Sequence, residues 1–202
     1  NGFVKGRNCV TAAKQHIGYS LTVMMDIVAF FDTVTKEHTG IQDSNFYTKE
    51  GYCGQGFATS PILANIGILP IVQSIKTYLE EFYPSRYAFT VYADDIQISI
   101  NTDYALEETA DIIEAVTLAF ESRGFKMHPH KTRVRYAKYG FRRILGINVV
   151  DTELRASRKI MRKIRAARHQ NNGPSLGGLT AWSRCSEPKP KTYKKPRRQK
   201  QS

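Results

Sequence analysis

No Cys-x-x-Cys pair occurs in this 202-residue sequence, and its three cysteines, Cys9, Cys53 and Cys185, are scattered and odd in number. That argues against a disulfide framework or a structural zinc site and favours a reducing, cytoplasmic setting. The histidines are dispersed too, and His128-Pro129-His130 has no acidic or cysteine neighbour, so it reads as a loop rather than a ligand set. No run approaches the roughly 18 apolar residues of a membrane span, and no signal-peptide pattern is present, which argues against a membrane partner or secretion. Internal repeats are missing. Acids are scarce in one region only: residues 131–202 hold 3 Asp/Glu against 21 Lys/Arg, whereas residues 1–130 hold 15 against 9. The chain is electrically two-sided. A basic segment beside an acidic cluster fits a polyanion held by phosphate contacts, with nucleic acid the leading partner.

With 41% hydrophobic residues, the chain has material for one core plus an appendage. It begins with Asn rather than Met, so an upstream segment is expected. Residues 21–32, LTVMMDIVAFFD, read as a buried strand with one acid, Asp26, in its interior, where a lone carboxylate is costly unless paired or bound to metal. A polar stretch and the glycine-bracketed CGQGFATSP follow. ILANIGILPIVQSIKTYLEEF then reads as a helix with Pro70 as a kink. YAFTVYADDIQISI reads as two strands around an Asp94-Asp95 turn, with Ile96, Ile98 and Ile100 on the buried face and Gln97 and Ser99 on the other. Residues 103–124 predict a helix with Leu106, Ile113, Val116 and Phe120 inward and Gly124 as its stop. A second hairpin over 141–150, a basic amphipathic helix over 157–170 and a disordered basic tail from Ser186 complete the reading.

Three awkward acids share one explanation. Asp26 in a strand and Asp94 and Asp95 at a turn could be sheet neighbours, with a Gly-Gln-Gly loop between them in sequence. Such a set suits two Mg²⁺ ions, with Mn²⁺ as an alternative, roughly 3.5–4 Å apart in a phosphoryl-transfer site.

On these residues the sequence resembles reverse transcriptases of the bacterial retron-type and group II intron-like branch. DIVAFFD, QGFATSPILAN, YADD, GFKMHPHKTR and RRILGI are similar, in order, to that family's successive catalytic blocks and its primer-gripping hairpin. The resemblance implies an α+β polymerase palm, a small antiparallel sheet backed by two helices, with a short helical thumb-like extension. By segment, 1–20 would be a remnant of the fingers/palm junction, 21–150 the palm, 151–185 the thumb-like segment and 186–202 the tail. It further implies that Asp26 and Asp94 bind the two metals with Asp95 assisting, and that Phe31 excludes a ribose 2′-hydroxyl. Gln55 and Gly56 would pack under the nucleotide, and Lys131 would protonate the departing pyrophosphate. Arg142 and Arg143 would hold the primer end, and Arg158, Arg162 and Arg165 would contact phosphates. The implied partners are an RNA template, a DNA or RNA primer, deoxynucleoside triphosphates and a cognate structured RNA, in a bacterial or phage-infected cell.

The match departs from the family's pattern in places. Ala12 stands where retron-type enzymes favour Asn, although Ala13 and His16 remain; Ile144-Leu145-Gly146 replaces a Val-Thr-Gly signature; Gly54 replaces a Pro. The short interval between Asp32 and Gln55 implies that the helices filling it are truncated or absent. Basic fingers residues are expected before Gly2, and without them weak or no polymerase activity is expected from these 202 residues alone. The rival reading is a non-catalytic nucleic-acid-binding protein that keeps the palm as a scaffold.

Overall fold

Alternation sets the central sheet. In the computed structural model, which describes residues 2–150 and 152–184, the first strand β1 (Leu21–Asp26) turns Leu21, Val23 and Met25 to one face and Thr22, Met24 and Asp26 to the other. Before it comes the short helix α1 (Cys9–Lys14), capped by the Asn8 side chain accepting from the Thr11 N–H. After it come two single-turn helices, α2 (Phe30–Thr33) and α3 (Lys36–Thr39). The long helix α4 (Ser60–Phe82) leads to a hairpin of β2 (Tyr87–Tyr92) and β3 (Asp95–Ile100), and then to α5 (Ala105–Glu121) and β4 (Arg133–Tyr136). The four strands form one antiparallel sheet in the order β2-β3-β1-β4.

The apolar face of this sheet is closed by α4 and α5. Leu63, Ala64, Ile68, Ile71, Ile75 and Leu79 of α4, with Ile112, Val116 and Phe120 of α5, join Leu21, Val23, Met25, Ile96, Ile98 and Ile100 in one core. Each fully buried branched side chain contributes about 1.5–3 kcal/mol, which fixes which face of the sheet is left for chemistry. Pro70 lies within α4, which continues through it; both Pro70 and Ile66, whose carbonyl loses its partner there, are on the exposed side. By length and composition α4 could cross a bilayer, but its stripe is spent on this core.

A second antiparallel sheet, β5 (Arg142–Ile144), β6 (Ile147–Val150) and β7 (Glu153–Ala156), follows. Its first turn, Leu145-Gly146, has both residues at positive φ, 48° and 81°, the backbone a two-residue hairpin requires. This sheet shares a smaller core with α1, built on Val10, Ala13, Ile144, Ile147 and Val149. The chain ends its described part in α6 (Arg158–His169) and α7 (Gly173–Ser183).

Four expectations need correction. Asp26 is the last residue of β1, not an interior one. Leu106 is 78% exposed, and Thr109 and Ile112 take the inward positions of α5. Gln97 and Ser99 do not face solvent: β3 is buried on both faces. Finally, β7 adds a third strand to the hairpin expected over 141–150, while the basic helix starts at its Ser157 cap, within the expected 157–170. The expected tail from Ser186 lies outside the described residues.

Candidate active site

The end of β1 and the tip of the β2–β3 hairpin meet because the register puts Asp26 directly opposite Asp95 and Met25 opposite Ile96. Opposed residues of an antiparallel pair bring their Cβ atoms to about 4.5–5.5 Å, so two like charges face one another there. The hairpin turns at Ala93-Asp94, with Ala93 in the left-handed region at φ 53°. Backbone bonds lock the junction: the Ile27 N–H donates to the Asp94 carbonyl at 3.0 Å, and the His128 N–H to the Asp26 carbonyl at 2.8 Å. Gly2 lies against the same turn, its N–H donating to the Val91 carbonyl and its own carbonyl accepting from Asn65 Nδ2 at 2.9 Å. A Cβ at Gly2 would stand 2.8 Å from the Ala93 nitrogen, so only glycine fits.

A cavity of about 440 Å³ opens at this junction, lined by Asp26, Phe31, Gln55, Gly56, Asp94, His128 and Lys131 among others. Lys131 Nζ donates to Asp26 Oδ1 at 2.8 Å, and that bond, with the charges of Asp26, Asp94 and Asp95, raises the lysine's pKa. Burial, then Asp94 and Asp26, pushes the Asp95 carboxyl up to about 6, with Lys131 opposing. Phe31 is half-buried, its ring 5.2 Å from Phe30 and 6.3 Å from Phe3. The Gln55-Gly56 loop is anchored where the Ser60 hydroxyl donates to the Gly54 carbonyl at 2.7 Å; Gly54 is buried, and Gly56 turns at φ 89°.

Asp26 and Asp94 thus share one cavity with Phe31, Gln55, Gly56 and Lys131, as the sequence implied. Asp95 is not on its wall. Among the described residues no three His, Cys, Asp or Glu side chains gather closely enough to hold a metal by themselves. The acids still fit Mg²⁺, which is commonly bound through one or two carboxylates plus substrate phosphates rather than a complete protein cage. The repulsion registered at Asp95, and the draw of Lys131 to Asp26, mark a place that favours added positive charge.

The basic residues divide. Arg143 is exposed on the hairpin, and Arg158, Arg162 and Arg165 are exposed on α6 at positions that form one stripe. Arg142 is corrected: it is 1% exposed, and its Nη1 donates to Thr22 Oγ1 at 3.2 Å beneath the sheet's polar face, out of reach of a phosphate backbone. It ends a buried chain that sequence reading did not find. Thr22 Oγ1 and Ser99 Oγ are 2.6 Å apart, His16 bonds Ser99 through Nδ1 and Thr90 through Nε2, both at 2.8 Å, and the Thr90 hydroxyl donates to Gln97 Oε1. Because the Thr90 hydroxyl donates to Gln97, it accepts from His16, whose Nε2 therefore carries a hydrogen; with His16 neutral, Nδ1 accepts from the Ser99 hydroxyl. Burial, helped by Arg142, lowers the His16 pKa to about 3. The only signal in the sequence was the polar pair Gln97 and Ser99 in an otherwise apolar strand.

A family model described as reverse transcriptase (RNA-dependent DNA polymerase) matches residues 1–149. The retron Mx65 reverse transcriptase of Myxococcus xanthus is 26% identical over 93% of this chain and 51% of its own length; the retron Mx162 reverse transcriptase of the same organism is 25% identical over 84% and 43%. The chain therefore spans about half the length of the curated relatives it matches. Among solved structures, a foamy viral protease-reverse transcriptase in complex with double-stranded DNA superposes with a TM-score of 0.63 at 18% identity, covering 90% of this chain and 31% of that one. The same kind of protein in complex with an RNA/DNA hybrid gives 0.54 at 18% identity, over 80% and 21%. The fold is a polymerase palm, and this chain belongs to the reverse transcriptase family, with its sequence similarity falling among the retron-type members.

Proposed function

We propose that the chain is the catalytic palm of an RNA-directed DNA polymerase, joining a primer 3′-hydroxyl to the α-phosphate of a deoxynucleoside triphosphate on an RNA template. The observation that carries this reading is the register that sets Asp26 against Asp95 and opens Asp26 and Asp94 onto one cavity with Phe31, Gln55 and Lys131. Asp26 and Asp94 would hold two Mg²⁺ ions, with Asp95 behind them supplying negative charge rather than a contact. When bound, divalent metal lowers the pKa of the attacking hydroxyl and stabilises the charge that develops on the phosphate.

The protein's own groups do the rest. Lys131, held in its ammonium form by Asp26, carries the proton that the departing pyrophosphate needs. The Phe31 ring, braced by Phe30 and Phe3, would exclude a 2′-hydroxyl. Gln55 and Gly56, which line the same cavity, would support the nucleotide. Arg143, Arg158, Arg162 and Arg165 supply phosphate contacts that position without reading sequence. The setting we propose is the cytoplasm of a bacterial or phage-infected cell, with a structured RNA as cognate partner.

Primer extension on an RNA template with Mg²⁺, under enzyme excess so that slow turnover registers, tests this. Asp94→Asn should lower the extension rate by more than about 100-fold while leaving primer–template binding intact. Binding without metal-dependent extension, or equal rates for the two proteins, would contradict it and favour a scaffold that only binds.

A further inference from the structure

Beside the catalytic cavity lies a larger groove of about 800 Å³ between β4 and the β5–β6 hairpin, lined by Met24, Arg133, Arg135, Tyr139, Phe141 and Arg143 among others. Met24 and Asp26 are on the same face of β1, two residues apart, so the groove starts about 7 Å along the strand from the acids. Arg133 is opposite Met24 and Arg135 opposite Thr22, which puts both guanidinium groups on that face. The strand β4 forms the sheet's edge, leaving one side of its backbone unpaired by other strands.

Two features give the groove a chemistry. It is cationic without counter-ions: no acid occurs between Lys131 and Val150, and among the described residues Arg133, Arg135 and Arg143 are in no ion pair. It also displays aromatic rings to solvent, with Tyr139 79% and Phe141 52% exposed. Tyr139 is not loose, because the Lys138 ammonium lies 5.0 Å from its ring centroid and the Tyr136 ring meets it edge-on at 5.8 Å. Exposed rings among arginines without ion-pair partners suit unpaired bases and their phosphates, whereas a continuous duplex offers phosphates but hides its base faces.

We propose that this groove binds unpaired RNA of the substrate, stacking bases on Tyr139 and Phe141 and taking phosphates on Arg133 and Arg135. The choice of RNA rests on the polymerase reading above: the DNA strand is made already paired, so the strand left unpaired beside the primed duplex is RNA. Binding itself does not rest on that reading, since it needs neither metal nor nucleotide.

The test is fluorescence anisotropy with labelled oligouridine of about 12 nucleotides and a blunt RNA/DNA hybrid of equal length, without metal or triphosphate. Tyr139→Leu and Phe141→Leu should each weaken oligouridine binding about 5- to 100-fold, with Tyr139→Phe and all hybrid affinities within about twofold of the parent. Replacing Arg133 and Arg135 by Gln together should reduce the slope of log K against log salt by about 1.4. For strand identity, 4-thiouridine in the unpaired RNA flanking a primed duplex should crosslink within residues 133–141, and 4-thiothymidine in the primer should not crosslink there. Unchanged oligouridine affinity in the leucine variants, parallel loss of hybrid binding, or crosslinking there from the primer would overturn the proposal. A chain that passes this test yet fails to extend a primer would sink only the catalytic reading.

Discussion

His16 is the residue where burial and chemistry are most tightly joined. Its ring bridges Ser99 and Thr90 in the buried chain from Arg142 to Gln97, and burial, helped by Arg142, lowers its pKa from 6.5 to about 3. A group depressed in this way stabilises the fold fully above its unfolded pKa, and that stability is lost as pH falls from 6.5 toward 3, because the unfolded chain then binds a proton the folded one refuses. Asp95 works in the opposite sense. Raised from 3.8 to about 6, it favours the fold below pH 3.8 and loses that contribution as pH rises through 6. The two slopes oppose one another in mild acid, so His16 must be isolated by difference. His16→Gln should cost about 1–3 kcal/mol at neutral pH. Its denaturant midpoint should also fall less steeply in acid than the parent's, the slopes differing by up to about 1.4 kcal/mol per pH unit. Parallel pH profiles would show that His16 is not held neutral.

At the scale of elements, close approach decides more than propensity. Gly67 of α4 lies against α3 and the segment before it: a Cβ there would meet Val34 Cγ1 at 3.0 Å and His38 Cβ at 3.3 Å. Helix propensity alone says that Gly→Ala gains about 1 kcal/mol, whereas overpacking a filled contact costs about 1–3 kcal/mol. We expect the contact to win and Gly67→Ala to lower the melting temperature. Gly177→Ala in α7, where a Cβ meets nothing within 4 Å, should raise it; stabilisation at both positions would mean the α3–α4 contact is looser than described. The sequence made the apolar signals legible, namely the alternation of β1 and β3, the stripes of α4 and α5 and the hairpin at Leu145-Gly146. It misled where polarity was taken for exposure. Gln97, Ser99 and Arg142 look like surface residues, and only the packing of α1 and β5 over the sheet, a long-range event, buries them. Strands β4 and β7 were illegible for the related reason that each is four residues long and carries arginine. At the site, ordered motifs pointed to Asp26, Asp94, Phe31, Gln55 and Lys131, which do share a cavity; His128 looked like loop, because nothing local says which way a loop residue faces.

For the whole molecule, charge and topology are arranged together. The acids converge at one end of the sheet because β1 and β3 are hydrogen-bonded neighbours, although α2, α3, α4 and β2 all separate them along the chain. The basic residues from 131 onward supply the arginines of the adjoining groove and of α6. An acid pair that attracts divalent cations beside a basic surface that attracts phosphate is what a two-metal nucleotidyl transfer needs, since neither charge alone would hold both metal and substrate. Mn²⁺ binding followed by electron paramagnetic resonance, on the chain with primer–template and a deoxynucleoside triphosphate, tests that convergence most directly. The account predicts about two ions per chain, with binding weakened by Asp26→Asn and by Asp94→Asn alike. Mn²⁺ uptake unchanged by either substitution would contradict it.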